Sequence, residues 1–371
     1  MPQLDSLRTV AVLLVVIYHW FPTGEGINWL PNGTIGVMVF FVISGFLISR
    51  ILLESRNRIE NDDEDSNHEN DSKADKATMS GTYRNFFVRR ALRIFPLYYL
   101  VITAVLVFLP QMQSISPTLQ SDIRAFPAYY YLYGYNILLH QTGNWADLLS
   151  PFWTLAVEEQ LYLVWPWVLF LTPRPFLKWA IAGLIAVGVL ARLYGYFTGD
   201  LDGVLTPANV DAFGLGALWA YTVTEDPDGI PQFISQLNRR ALVSVFLFGF
   251  LLLQPGDSLA VVLFQRLIIS ILALWFVVGA SRGFGGPLGA VLNNSALQFV
   301  GRISYGIYVF HMLVPGFFMP LLLRIVNRFA HLPEPGYWAH RIISLALLLV
   351  LASASWFFFE KPINELKKRF R

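Results

Sequence analysis

Apolar runs of about 20 residues, the length that crosses a bilayer, alternate along this chain with short polar segments. The pattern predicts an all-α fold: a polytopic integral membrane bundle of about ten transmembrane helices. The predicted spans are 5–22, 34–53, 94–110, 152–171, 176–197, 207–224, 240–254, 258–281, 295–323 and 340–360. Residues 124–140 are aromatic but half polar, so we predict a re-entrant or interfacial segment there.

Basic residues orient the predicted spans. If the N-terminus is cytoplasmic, most lysines and arginines fall in inner segments, which is the bias expected of cytoplasmic loops. These inner positions are Arg8, the cluster Arg50 to Arg93, Arg174, Lys178, Arg239, Arg240, Arg282, Arg302 and the tail from Lys361. We therefore predict a membrane protein with both termini in the cytoplasm.

Composition narrows the function classes. The chain is 55% hydrophobic and only 14% charged, with a mean hydropathy of +0.51, whereas soluble domains carry about 25% charge. Cysteine is absent, which excludes disulfides and thiolate metal sites. The net charge of +2 is scattered, so a nucleic-acid partner is not expected. We predict no metal site. The sequence does not indicate an oligomeric state.

One segment is hydrophilic. Residues 54–82 are acidic and lack apolar periodicity, which predicts a disordered cytoplasmic loop, although an acidic docking patch has the same composition. The rest forms a single membrane domain over 1–371, and we expect no appended periplasmic domain.

The first span carries a polar stripe. Arg8 and His19 are 11 positions apart, so at about 100° per residue they share a face, with about 16 Å of helix axis between them. Ionisable groups inside a span are costly unless paired or wet, which makes both candidate site residues. Asp5 can pair with Arg8. His19 beside Trp20 also suits an interfacial histidine.

Further polar groups mark three other spans. Arg90 and Arg93 lie three residues apart at the predicted inner surface. They can form a fork that binds phosphate, or they can anchor the helix at the membrane surface. Glu158 enters the fourth span, where a carboxylate beside a histidine suits general-base chemistry and an acid also suits a helix start. In the ninth span three polar side chains share one helical face. They can be site residues, or they can form hydrogen bonds to neighbouring helices. They are Ser304, Tyr308 and His311.

Taken together, several segments resemble the acyltransferase 3 family of multi-span membrane O-acyltransferases. The similarity covers nearly the whole chain in order, and no single motif carries it. The matching segments are LDSLRTVAVLLVVIYHW (4–20), GTIGVMVFFVISGFLIS (33–49), FFVRRALRIFPLYYL (86–100), FWTLAVEEQLYLVWP (152–166), GRISYGIYVFH (301–311) and, more weakly, DAFGLGALWA (211–220). Thr154 replaces the commoner serine of the fourth motif, and Leu161 precedes Tyr162.

The resemblance implies transfer of an acyl group, acetyl by analogy, from acyl-CoA (acetyl-CoA) to a glycan or lipid-linked sugar hydroxyl outside the cytoplasm. Such O-acetylation modifies polysaccharides, with acyl-CoA as co-substrate and no tightly bound cofactor. His19 matches the catalytic histidine and Glu158 the motif carboxylate. Arg90 and Arg93 match the acyl-CoA pair, and Arg8 an arginine of the first motif.

These implied roles combine into one hypothesis. The nucleotide docks on the arginine pair while the thin arm of the donor threads a polar channel that Arg8 lines. His19 takes the proton of the acceptor hydroxyl, or forms an acyl-histidine as a variant, while Glu158 fixes the imidazole tautomer or stabilises the imidazolium. Ser304, Tyr308 or His311 donates to the thioester oxygen. The resemblance also implies a bacterial plasma (inner) membrane. The rival class is a secondary transporter or flippase of a glycan or lipid intermediate, which would also need a polar stripe inside the membrane.

Overall fold

The computed structural model describes residues 1–65, 78–108, 125–145, 148–199, 203–330 and 335–369. These ranges form helices joined by short turns, and no β-strand occurs within them, which confirms the all-α prediction. In chain order the helices are α1 (Pro2–Trp20), α2 (Asn32–Asp65), α3 (Met79–Phe108), α4 (Pro127–Tyr131), α5 (Tyr135–Thr142), α6 (Phe152–Leu171), α7 (Arg174–Thr198), α8 (Val210–Glu225), α9 (Ile230–Leu251), α10 (Leu259–Arg282), α11 (Gly286–Leu292), α12 (Ser295–Arg302), α13 (Ser304–Phe310), α14 (Met319–Ala330), α15 (Tyr337–Ser355) and α16 (Lys361–Glu365).

Each predicted span overlaps at least one of these helices. By length and apolar composition, five described helical segments can each cross a membrane alone. They are Asn32–Asn61, Met79–Val107, Arg174–Thr198, Leu259–Arg282 and Tyr337–Arg369, and a bent pair, Ser304–Phe310 with Val314–Arg328, makes a sixth. The protein is therefore a multi-pass membrane protein.

The predicted ninth span is broken. A π-helical turn at Val314–Phe318 follows α13, and the axis bends by 50° there. Pro315 lies in this turn, and because proline has no backbone N–H it removes a hydrogen bond from the helical ladder. The predicted re-entrant segment forms α4 and α5, neither of which is long enough to cross a bilayer.

The described part of the predicted loop, 54–65 and 78–82, is mostly helical instead, since α2 continues to Asp65 and α3 begins at Met79. Ion pairs hold the extension of α2. Arg56 Nε donates to Glu60 Oε1 at 2.9 Å, and Arg174 Nε, at the start of α7, donates to Glu60 Oε2 at 2.6 Å. Residues 66–77 of the predicted loop lie outside the described ranges.

Glycines bring the central helices close together. A Cβ atom at Gly45 of α2 would overlap the carbonyl oxygen of Phe213, and one at Gly216 of α8 would overlap that of Val42. Small residues of this kind allow helix backbones to approach closely within membranes. Helix α2 packs against α8 and also against α1, the helix that carries the polar stripe.

Candidate active site

Hydrogen bonds to α11 and α12 hold helix α1 along its length. Ser6 Oγ donates to the carbonyl oxygen of Leu292 at 2.6 Å, and Thr9 Oγ1 donates to that of Leu297 at 2.5 Å. At the C-terminal end of α1, Trp20 Nε1 donates to the carbonyl oxygen of His311 at 2.8 Å. These contacts fix the register of α1 against α12 and α13, and so fix its two ionisable site candidates.

A cavity lies between α1, α2, α3, α6 and α13. Three guanidinium groups line it, those of Arg8, Arg90 and Arg93. Arg8 pairs with Asp5 at 3.6 Å, and its side chain is 16% exposed. Arg93 is exposed, and it therefore lies at the cavity mouth. Such a cluster of cations suits a phosphate-bearing ligand.

Arg90 is the partly buried member of the predicted arginine pair. Its guanidinium carbon lies 5.4 Å from the ring centroid of Tyr162 and 5.9 Å from that of Phe86. Cations are attracted to the faces of aromatic rings at such distances. The two rings therefore hold the guanidinium at the cavity wall, where it can meet an anion.

The carboxylate of Glu158 lies in the same cavity and is held by hydroxyl groups. Ser44 Oγ donates to Glu158 Oε1 at 3.1 Å, and the Tyr162 hydroxyl lies 3.0 Å from Oε2. Glu158 and Tyr162 are one helical turn apart on α6, while Ser44 comes from α2. The hypothesis that Glu158 orients His19 disagrees with the structure. The Glu158 carboxylate is hydrogen-bonded to the hydroxyls of Ser44 and Tyr162, and His19 contacts His311 instead.

Deeper in the cavity two neutral hydroxyls meet. Thr154 Oγ1 of α6 lies 2.5 Å from the Tyr308 hydroxyl of α13, and both lie within hydrogen-bond distance of the carbonyl oxygen of Pro151, at 3.0 and 3.1 Å. Thr154 precedes Glu158 by one turn of α6, so the polar lining continues along one face of that helix.

Beyond Tyr308, the two histidines are linked through their ring nitrogens. His311 Nδ1 lies 2.7 Å from the carbonyl oxygen of Tyr308, and His19 Nδ1 lies 2.9 Å from that of Val15. Because a carbonyl oxygen only accepts, we assign the proton of each neutral ring to Nδ1. His311 Nε2 is then an acceptor, 3.2 Å from His19 Nδ1. The assignment leaves His19 Nε2 unprotonated, as a general base requires.

Six of the eight predicted site residues line the cavity, and the other two form the histidine pair next to it. The six are Arg8, Arg90, Arg93, Glu158, Ser304 and Tyr308. Sequence reasoning missed the role of Ser44 and the pairing of the histidines. Ser44 is a polar residue in an apolar run, which was the only signal available for it.

A second polar cluster lies outside this cavity. Arg192 of α7 and Asp211 of α8 form a buried bidentate pair, with nitrogen-to-oxygen distances of 2.6 and 3.0 Å. Arg192 also donates to the carbonyl oxygens of Ala208 and Leu263 at 2.7 and 3.2 Å. The Arg192–Asp211 pair therefore joins α7 to α8, and Arg192 also joins them to α10.

A multi-pass helical bundle that places arginines and a carboxylate in one cavity, with a histidine pair next to it, has the parts of a membrane acyltransferase. The acyltransferase domain family, acyltransferase 3, matches residues 1–359. The chain belongs to this family, as its motifs predict.

Its relatives carry related names. The chain is 27% identical over 385 residues to a putative peptidoglycan O-acetyltransferase, YrhL, of Bacillus subtilis, which covers 98% of this chain and 55% of the relative. It is 24% identical over 387 residues to the peptidoglycan O-acetyltransferase OatA of Listeria monocytogenes, covering 98% and 56%. A putative O-acetyltransferase of Staphylococcus aureus strain MSSA476 is 26% identical over 391 residues, covering 98% and 57%.

The chain thus spans little more than half the length of these relatives. No solved structure matches it significantly.

Proposed function

We propose that the protein is a membrane-embedded O-acetyltransferase that moves an acetyl group from cytoplasmic acetyl-CoA to a hydroxyl of a cell-wall glycan outside the membrane. The observation that carries the proposal is the arginine-lined cavity, whose wall includes Tyr308, together with the histidine pair that lies next to Tyr308. A charged nucleotide would stop at the arginines, while the neutral thioester arm continues inward.

The reaction follows from the tautomer assigned to His19. Its Nε2 accepts the proton of the acceptor hydroxyl as the oxygen attacks the thioester carbonyl carbon. The C–O bond forms, the C–S bond breaks, and the imidazolium returns its proton to the departing thiolate of CoA. His311 Nε2, which accepts from His19 Nδ1, holds the ring in the tautomer that this step needs.

The proposed orientation puts both termini in the cytoplasm of a bacterium, with the arginines at the inner face. The predicted inner ends of three helices do meet. Arg174, at the start of α7, donates to Glu60 near the end of α2 at 2.6 Å and to Glu225 at the end of α8 at 2.7 Å. This agreement supports the assignment from basic residues.

The test uses the full chain in proteoliposomes with acetyl-CoA labelled in the acetyl group and a soluble glycan acceptor inside. We expect labelled ester in the wild type and a loss of about 10²–10⁴ in rate for His19→Ala, since a general base contributes that much. His340→Ala, a histidine on α15, is the matched control and should keep its rate. Movement of glycan without label transfer would instead support the transporter hypothesis.

The acceptor is proposed from the relatives, two of which are named for peptidoglycan. Mass spectrometry of muropeptides from cells with and without the gene tests it, and we expect O-acetylated muropeptides only with the gene. If the peptidoglycan is unchanged while an envelope polysaccharide or a lipid-linked sugar loses acetyl groups, the proposed acceptor is wrong.

A further inference from the structure

An apolar groove runs between α9 and α10, and it shares no lining residue with the cationic cavity. Helix α9 packs mainly on α10. Four large apolar side chains of the groove are exposed although nothing polar accompanies them, namely Val243, Leu247, Phe250 and Phe264. In a membrane protein such side chains contact lipid tails, which are as apolar as leucine. The groove is therefore open to the bilayer.

One end of the groove is basic. Arg239 and Arg240 line it there, and both side chains are exposed. Arg240 Nη2 donates to the neutral amide oxygen of Gln236 at 3.2 Å. Neither arginine forms an ion pair with a carboxylate of the described residues. Two adjacent cations without a counter-ion leave this end of the groove free to meet an anion.

The basic end lies at a level where polar groups collect. Trp275 Nε1 of α10 donates to the side-chain oxygen of Asn238 at 2.8 Å, one residue before Arg239 on α9. Tryptophan is enriched where the hydrocarbon of a bilayer meets its headgroups. The tryptophan, the asparagine and the arginines therefore fit the headgroup level, with the apolar part of the groove directed into the hydrocarbon.

The length of the groove matches one lipid chain. Its lining on α9 extends from Arg239 to Leu251, and 12 residues of helix span about 18 Å. The hydrocarbon of one leaflet is about 15 Å thick, half of the bilayer core. An acyl chain that follows the groove would thus reach its far end, while the headgroup of the same lipid stays beside the arginines.

The lining also selects among possible occupants. An apolar groove disfavours a sugar or a free phosphate, which would lose water without gaining polar contacts. A zwitterionic lipid carries an ammonium group that the two arginines repel, whereas an anionic phospholipid has no such group. Basic pockets between membrane helices bind anionic headgroups in this way.

We propose that the groove between α9 and α10 binds one anionic phospholipid, with its phosphate at Arg239 and Arg240 and an acyl chain along the groove. The proposal does not depend on the proposed function, because the groove and the cationic cavity have no residue in common.

The test is native mass spectrometry of the full chain in detergent, titrated with dioleoyl phosphatidylglycerol or with dioleoyl phosphatidylcholine, which has the same acyl chains. We expect the wild type to bind the anionic lipid more tightly. Arg239→Gln combined with Arg240→Gln should weaken that binding about thirtyfold, since each basic side chain at a membrane surface contributes about fivefold. Binding of phosphatidylcholine should not change. Arg324→Gln with Arg328→Gln, both exposed on α14 and outside the groove, is the matched control.

A second pair of variants tests the apolar part of the site. Leu247→Trp fills the groove and keeps both arginines, so it should weaken binding of phosphatidylglycerol about tenfold, as expected when about two methylene groups lose their burial. Leu242→Trp is the matched control, because Leu242 is exposed on the same helix but does not line the groove.

Several outcomes would overturn the proposal. Equal affinity of the wild type for the two lipids would do so without any variant. An equal loss for both arginine pairs would mean that the lipid is attracted by charge alone, and an unchanged Leu247→Trp would mean that no chain lies in the groove. If the wild type is a dimer by light scattering and Leu247→Trp is a monomer, a second copy of the chain covers the groove instead of a lipid.

Discussion

Replacing His311 with leucine removes the acceptor for the shared proton of His19 Nδ1 and leaves an apolar side chain in a fully buried position. The Val15 carbonyl oxygen, 2.9 Å from the same nitrogen, remains. The loss is therefore one neutral hydrogen bond, about 0.5–1.5 kcal/mol, which is roughly two- to twelvefold in rate. We expect kcat to fall about tenfold and not to vanish.

Two companion variants sharpen this prediction. His311→Gln places an amide oxygen where it can accept from His19, so it should keep most of the activity. In a His19→Ala background, which has already lost the base, His311→Leu should cost nothing more, because residues that act as a unit are not additive.

The assay is acetyl transfer in proteoliposomes at saturating donor and acceptor, so that kcat is read separately from KM. A fall in kcat for His311→Leu as large as that for His19→Ala would mean that His311 itself carries out the chemistry. Full activity of the leucine variant would refute the positioning role, and so would a glutamine variant as inactive as the leucine one.

Three other predictions concern the cavity and its scaffold. Arg90→Gln should raise the KM for acetyl-CoA more than Arg93→Gln, since the guanidinium at the mouth is exposed and screened; equal effects would contradict this. Asp211→Asn should lower the free energy of unfolding by about 3–5 kcal/mol, because it leaves a buried guanidinium without its counter-ion; thermal unfolding in detergent measures this. Gly216→Ala should reduce the yield of folded monodisperse protein in size-exclusion chromatography, whereas Gly249→Ala, where a Cβ meets open space, should not.

The helices were predictable because their signals are local. The length of a helix such as α2 can be predicted from its run of consecutive apolar residues. The four-residue spacing around Glu158 predicts which side chains share a helical face. The cavity lining followed from the same logic, since polar residues on an apolar helix must face the interior of a bundle.

The pairing of His19 with His311 was not predictable in this way. The two residues are 292 positions apart, and their contact depends on the hydrogen bonds that set the register of α1 and on the end of α13. The helical extension of α2 also escaped prediction. Its acidic sequence is typical of a disordered segment, and the arginine that stabilises it comes from α7.

If the proposed function is correct, the charge distribution at the site would let one bundle bind a charged donor without opening a pore. The arginines and Glu158 line the cavity together with the neutral Thr154 and Tyr308, whereas the two histidines next to it are assigned as neutral. A phosphate that moved past Arg90 would lose its cationic partners and face only neutral donors, at a cost of several kcal/mol per charge. Under the proposed function, the acetyl-CoA donor would stay anchored by its anionic end, and only its uncharged thioester would continue towards His19.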